Sequence, residues 1–117
     1  MSNIEVILTR LENDDSLMKI GTETSEQELF VELKKGLTTV IPRRPVLVLF
    51  SIFVPEHLRN QGVTSRIVSA MERRAEKNGY CAVMVGPLIG DDILPGMLDR
   101  RGYVPIMGYF AIKYIGV

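Results

Sequence analysis

The most apolar stretch of the chain runs from Val46 to Val54, interrupted only by Ser51 and ended by Pro55. A run too short for a spanning helix and without polar alternation predicts a strand covered on both faces, as strands of parallel sheets are. Downstream, Val63, Ile67, Met71 and Ala75 recur at helical spacing, Val68 and Ala70 widen the stripe, and Arg66, Glu72, Arg73, Glu76 and Lys77 fall outside it. This spacing predicts an amphipathic helix that ends at Asn78-Gly79. Tyr80 to Val85 is apolar again. Strand, helix and strand therefore form one βαβ unit, and its two strands should run parallel.

The flanking segments are less regular. Ile4, Val6 and Leu8 alternate with polar neighbours and predict a first strand, with at most a short helix near Ser16 to Ile20. Ser25 with Glu28 reads as a capping box for a helix whose face carries Leu29, Phe30 and Leu33 and which ends at Gly36. Leu37 to Ile41 is β-prone, but Pro42 and Pro45 bracket Arg43-Arg44 and leave a loop or an edge. Asp91-Asp92 supplies an N-cap for a helix running to Arg100-Arg101 and closed by Gly102, with Pro95 fitting its first turn. Tyr103 to Ile106 and Tyr109 to Ile115 predict two strands turning around Met107-Gly108. The apolar tail from Ala111 to Val117 reads as a core strand or as the extension of a sheet across a homodimer, and periodicity does not choose.

Composition narrows the classes. The 117 residues suit a single domain, and 46% hydrophobic with 24% charged residues is the balance of a soluble globular protein. No apolar run approaches the ~20 residues of a membrane span, and the start lacks a secretory pattern, so a cytoplasmic location is expected. Fourteen basic and fourteen acidic residues cancel, which gives no global field for nucleic acid or an anionic membrane. A single cysteine, Cys81, and a single histidine, His57, exclude an intrachain disulfide and a His/Cys metal cage, and no metal is expected. Cys81 reads as a small core residue.

The informative segment is the turn Arg59-Asn60-Gln61-Gly62-Val63-Thr64, between the core strand and the amphipathic helix. A strand that enters a tight Gly-containing turn and then a helix collects free backbone N–H groups at one point, where the helix dipole favours an anion. Arg59 adds charge there, and Gly62 permits an unusual φ or close approach of a phosphate.

Arg59 and Gly62, with the Val54-Pro55 entry, the Asn78-Gly79-Tyr80 exit, and Met97-Leu98-Asp99-Arg100-Arg101-Gly102-Tyr103 downstream, resemble the GNAT N-acetyltransferase superfamily. The family's coenzyme A motif is Arg or Gln, two variable residues, Gly, one variable residue, then Gly or Ala; this chain departs from it at Thr64. The resemblance covers about Val46 to Ile115. It implies an α/β (α+β) GNAT-like fold, with a mixed central sheet whose parallel strand pair splays and is flanked by helices. It also implies that acetyl-coenzyme A is the cosubstrate. Its pantetheine arm would lie in the splay against the backbone of Ile52, Phe53 and Val54, and its diphosphate on Arg59, Asn60, Gln61, Gly62, Val63 and Thr64. An amine acceptor, a small molecule or a protein, would attack the thioester directly, with no covalent enzyme intermediate.

The proton-transfer groups are harder to place. Some family members carry a glutamate base in the core strand, where this chain offers only Ser51, and the family's frequent proton-donating tyrosine corresponds to Leu98. Tyr109, after the Met107-Gly108 turn, is a candidate donor to the departing thiolate, and Glu56, beside His57, is a candidate base acting through water. Their plainer readings are a strand tyrosine with a wet hydroxyl and a solvated loop pair. The pairs Arg43-Arg44 and Arg100-Arg101 read as solvated surface charge in preference to contacts with the adenosine 3′-phosphate. Only about forty-five residues precede the core strand, fewer than the family usually spends on its acceptor pocket. A non-catalytic GNAT-fold binding or assembly protein is therefore the alternative to an N-acyltransferase.

Overall fold

The computed structural model describes residues 3–22, 28–37, 44–87 and 94–115. Among them, in chain order, are α1 (Asn3–Asn13), β1 (Lys19–Ile20), β2 (Phe30–Leu37), β3 (Pro45–Phe53), a 3-10 turn (Glu56–Leu58), α2 (Val63–Lys77), β4 (Ala82–Val85), α3 (Leu94–Arg100), β5 (Val104–Ile106) and β6 (Phe110–Tyr114). The strands form one sheet in the order β1-β2-β3-β4-β6-β5. β3 and β4 are parallel, and every other neighbouring pair is antiparallel.

The βαβ unit, the C-terminal hairpin and the helix before it lie where the pattern puts them, and β6 is a core strand beside β4. The proposed cap at Asp91-Asp92 lies outside the described residues, as do Arg43 and Ser25.

The first third of the chain departs from expectation. Ile4 to Thr9 is not a strand but part of α1. Ile4, Ile7, Leu8 and Leu11 form one helical stripe, with Leu8 and Leu11 buried and the two isoleucines packed against the core. The alternation at Ile4, Val6 and Leu8 holds over too short a window to compete, and Val6 points outward. No helix forms near Ser16 to Ile20. The Asp14 carboxylate accepts from the Ser16 N–H (3.0 Å) and hydroxyl (2.6 Å), a turn that ends the helical path, and Lys19–Ile20 are β1.

Leu29, Phe30 and Leu33 are likewise not helical, because Phe30–Leu37 is β2 and Gly36 sits inside that strand opposite Val46. Leu29, Val31 and Leu33 alternate into a single core cluster, which is strand spacing. Pairing along β3 outweighs the local cap pattern, since the core strand needs a hydrogen-bonded neighbour on this edge. Pro45 opens β3 opposite Leu37, at a strand start where a missing N–H is tolerated.

Both faces of β3 and β4 are covered. Leu47, Leu49, Val83 and Val85 pack with Ile67, Val68 and Met71 of α2, and with Leu8 and Leu11 of α1. Val46, Val48, Cys81, Ala82 and Ile112 form a second buried cluster, so Cys81 is the core residue its sequence setting suggests. Among the described residues, no helix is long and apolar enough to cross a membrane.

Helix α1 lies alongside α2, joined by Glu5–Arg66 and Glu12–Arg73 ion pairs spaced two turns apart and by Lys77 Nζ donating to Asn13 Oδ1 (2.8 Å). A stronger tie sits at the far end of α2. Arg74 is fully buried, and its guanidinium donates to Asp15 Oδ1 (3.0 Å), to the Leu17 carbonyl (2.7 Å) and to the Asp15 carbonyl (2.8 Å). Tyr80 donates to the same Asp15 oxygen (2.9 Å), and Lys35 lies 3.3 Å from the other. Burial alone would raise the Asp15 pKa, but the hydrogen bonds from Arg74, Tyr80 and Lys35 outweigh it and hold the carboxyl below its usual 3.8.

Two outcomes follow from this knot. Arg74→Met removes the donors of two backbone carbonyls and a carboxylate together, and urea denaturation should show a loss of about 3 kcal/mol. Asp15 has a depressed folded-state pKa, so its contribution is complete above its unfolded value of 3.8 and is lost as pH falls through the lower folded value. Asp15→Asn should therefore flatten the acid limb of the stability curve below about pH 4, measured by denaturant midpoints at successive pH values.

Candidate functional site

The site originates in a mismatch between strand lengths. β3 pairs with β4 only over Val46–Leu49 against Ala82–Val85, and the Gly86 N–H adds a last contact to the Leu49 carbonyl (3.1 Å). β3 nevertheless continues along β2 as far as Phe53, opposite Phe30. Where β4 stops, Leu33 faces Leu49 and Glu32 faces Ser51, which leaves Phe50 as the extra residue of a bulge. A bulge bends its strand and increases its twist, so β3 turns away from β4 and the pair splays. Lys34 covers the exposed Phe50 ring, with Nζ 3.7 Å from its centroid.

Below the bulge the gap leads into a cavity of about 500 Å³. Ile52, Phe53 and Val54 line it from the open side of β3, and Leu58, Arg59, Asn60, Gly62, Val63, Thr64 and Ser65 line it from the turn and the start of α2. Met97 of α3 completes the wall.

The turn is held by its own residues. Arg59 Nε donates to the Val54 carbonyl (3.0 Å), drawing the end of β3 toward the turn, and its guanidinium carbon lies 5.8 Å from the Phe53 ring centre. Asn60 and Gly62 take left-handed backbone angles, with φ of 63° and 67°. Gly62 is the N-cap of α2 and offers no side-chain cap, and the first turn of the helix carries no acid. The leading N–H groups of α2 therefore face the cavity side without an internal anion, and the helix dipole adds to their pull. A Cβ built on Gly62 would meet nothing within 4 Å, so the space in front of it is open.

Ile52, Phe53, Val54, Arg59, Asn60, Gly62, Val63 and Thr64 share the cavity. Gln61 turns away, its Nε2 donating to the His57 carbonyl (3.0 Å). Glu56 and His57 are exposed in the 3-10 turn and do not line the cavity. Tyr109, 51% exposed, lies in the β5–β6 turn beside a separate cavity of about 240 Å³ shared with Asp99, Tyr103 and Phe110. It is nevertheless at the same end of the sheet as the splay. Val85 faces Ala111, and a Cβ on Gly86 would come within 2.4 Å of the Phe110 ring and 2.9 Å of the Tyr109 carbonyl oxygen. Leu98, at the position of the family's tyrosine, is buried in the core.

Leu58, Ser65 and Met97 were not singled out from the sequence. Ser65 was within reach of such reasoning, being the residue after Thr64 in the first turn of a helix whose start was legible. Met97 depends on how α3 folds back, which no local pattern encodes. The reading of Arg101 as solvated surface charge is overturned: its guanidinium is tied to Ser65, Ser69 and Glu72 of α2, whereas Arg100 is exposed. Among the described residues, no group of three or more His, Cys, Asp or Glu is placed to hold a metal ion.

No family model matches the chain. It is 27% identical over 100 residues to an uncharacterised N-acetyltransferase of Bacillus subtilis, YhfO, which spans 86% of this chain and 66% of the relative. Among solved structures, Arabidopsis thaliana NAA60 in complex with a bisubstrate analogue superposes with a TM-score of 0.61 at 14% identity, covering 75% of this chain and 65% of that one. A chain of the NatC complex bound to Gag peptide and CoA matches with a TM-score of 0.61 at 9% identity, covering 96% and 90%. This chain thus spans just under two thirds of the Bacillus relative and of NAA60. With its mixed sheet, splayed parallel pair and turn at the head of α2, the chain has the GNAT acyl-CoA N-acyltransferase fold, and its resemblance to that superfamily is borne out.

Proposed function

We propose that this protein is an acetyl-coenzyme A-dependent N-acyltransferase. The observation that carries the reading is the single continuous cavity, running from the open edge of β3 to the uncapped N-terminus of α2. A pantetheine arm has amide groups that can pair with a free strand edge, and a diphosphate suits backbone N–H groups at a helix start. The two features occur in the order in which coenzyme A carries those parts. The N-acetyltransferase relative, and the neighbours solved with a bisubstrate analogue or with CoA, support the same cosubstrate.

In this reading the acetyl thioester sits at the splayed end of β3 and β4. The nitrogen lone pair of a neutral amine attacks the carbonyl carbon, the C–S bond breaks, coenzyme A leaves as the thiolate, and the amine proton is released. Among the described residues, Arg59 is the only titratable side chain lining the cavity, so proton transfer is assigned to groups outside that lining. Tyr109 is the proposed donor to the thiolate because it lies at the splayed end of the sheet. Glu56, exposed just beyond β3, is the proposed base through water. The peptide bound in the NatC structure supports a peptide or protein amine as the acceptor class.

A second reading, a binding module without catalysis, is favoured by Leu98 in the core and by a cavity wall that carries no carboxylate, histidine or tyrosine among the described residues. Turnover separates the two. Calorimetry should detect acetyl-coenzyme A binding, and no heat at millimolar ligand would sink both readings. Release of free thiol over a panel of amines and peptide N-termini supports the enzyme; binding without it supports the module.

Two variants test the placement of groups. Gly62→Asp should leave the fold within about 1–2 kcal/mol, the cost of a left-handed non-glycine residue, because its side chain enters open space. It should weaken acetyl-coenzyme A binding by about a hundredfold or more by setting a carboxylate against the diphosphate. Tyr109→Phe and Glu56→Gln should each lower kcat by roughly a hundredfold while leaving the coenzyme A Kd unchanged, and an unchanged kcat would hand those proton transfers to solvent.

A further inference from the structure

Arg101 follows α3 directly and reaches across to α2 with a fork of hydrogen bonds. Nη1 donates to Ser65 Oγ (3.1 Å), and Nη2 donates to Ser69 Oγ (2.6 Å) and Glu72 Oε1 (3.1 Å). Nε is buried and has no partner among the described residues, so the two Nη groups fix the plane of the guanidinium. Glu72 is itself held, since Tyr103 donates to its other oxygen (2.8 Å) and Lys113 lies 3.8 Å away. Burial is the chief cause that pushes the Tyr103 phenol well above its usual pKa, so it stays a donor.

The consequence falls on Ser65. A serine hydroxyl has one hydrogen to give and two lone pairs, and an arginine accepts nothing. With Arg101 occupying a lone pair, the Ser65 hydrogen must be directed elsewhere. The usual outlet in a helix is the carbonyl four residues back, as Thr9 shows by donating to the Glu5 carbonyl (2.9 Å). Among the described residues, no such bond is made by Ser65, and Ser65 lines the cavity beside Thr64 and Gly62.

We propose that Arg101 is a positioning residue that sets the Ser65 hydroxyl as a fixed donor to a phosphate oxygen of acyl-coenzyme A. This rests on the cosubstrate reading given above. Arg101 withdraws electron density from Ser65 Oγ, which makes its hydrogen a stronger donor, and it places a cation one layer behind the turn. It does not touch the ligand itself. Arg101 also docks the C-terminal end of α3 onto α2, so Met97 and Ser65 keep their places on opposite sides of one cavity.

The test compares acetyl-coenzyme A with S-acetylpantetheine, the same thioester without the diphosphate and the phosphoadenosine beyond it. Ser65→Ala should raise the acetyl-coenzyme A Kd about tenfold, the low end for a hydrogen bond to a charged group, and leave the Kd for S-acetylpantetheine unchanged. Arg101→Lys keeps the charge near Glu72 but cannot span both sites, so it should reproduce the Ser65→Ala loss. The double variant should then be no worse than either single one. Full affinity in Arg101→Lys, additive losses, or equal losses for both thioesters would overturn the proposal. Ser65→Ala should melt within a few degrees of the wild-type protein, which excludes unfolding as the cause of its loss. Failure of the wild-type protein to bind acetyl-coenzyme A would instead overturn the cosubstrate reading and this inference with it.

Discussion

The architecture depends on one constraint: β3 has two strand neighbours for only part of its length. Over Val46–Leu49 its backbone is satisfied by β2 on one side and β4 on the other. Beyond Leu49 the bulge at Phe50 and the end of β4 leave one edge open while β2 still holds the other. An unpaired edge is normally a liability. Here it faces a cavity whose far wall is the head of the helix that β3 itself leads into, so the opening becomes a slot of defined length and polarity. Gly86 belongs to the same constraint: its lack of a side chain lets Phe110 and the Tyr109 backbone close over the end of β4.

A slot of this kind works only if α2 cannot drift, and two arginines prevent that from opposite ends. Arg74, in the last turns of α2, is buried against the Asp15–Leu17 segment and ties the helix to the entry of β1. Arg101 grips the first two turns through Ser65 and Ser69 and reaches the middle of the helix at Glu72. Neither is a surface ion pair of the kind that contributes little to stability. Arg74 is fully enclosed, and removing it would strand two carbonyls and a carboxylate. The Glu5–Arg66 and Glu12–Arg73 pairs, by contrast, are largely exposed and serve mainly to align α1.

These two arginines also show where sequence reasoning reached and where it stopped. The interval from Val46 to Val85 was legible because its periods are clean and its burial follows local spacing: a continuous run for a strand covered on both faces, then a four-residue recurrence for a helix packed on one. The turn was legible because Gly62 and the helix start are adjacent in sequence. The first thirty-seven residues were not. Ile4 to Leu8 fits either period over so short a window, and Leu29 to Leu33 becomes a strand only because β3 requires a neighbour, a tertiary demand absent from the local pattern. Arg101 was misread for a related reason. Its partners lie twenty-nine to thirty-six residues away, and a basic pair at a helix end carries no mark of what it folds against.

The two halves of the proposed chemistry place unequal demands on sequence, which explains why one is plain and the other is not. A diphosphate cradle built from main-chain N–H groups asks for backbone angles, not side chains. Here the requirement reduces to a left-handed φ at Asn60 and Gly62 and a helix that starts on time. In the proposed cradle Thr64 serves through its backbone N–H, a group that a larger side chain leaves unchanged. Proton transfer has no backbone substitute and must be carried by side chains whose placement depends on the loops and the front of the fold. In this chain Leu98 fills the core at the position where the resemblance to the family would set a phenol. In a molecule so built, the binding half can persist through extensive change elsewhere. The proton-transfer half depends on side chains near the splayed end of the sheet, where Tyr109 on the β5–β6 turn is the donor proposed above.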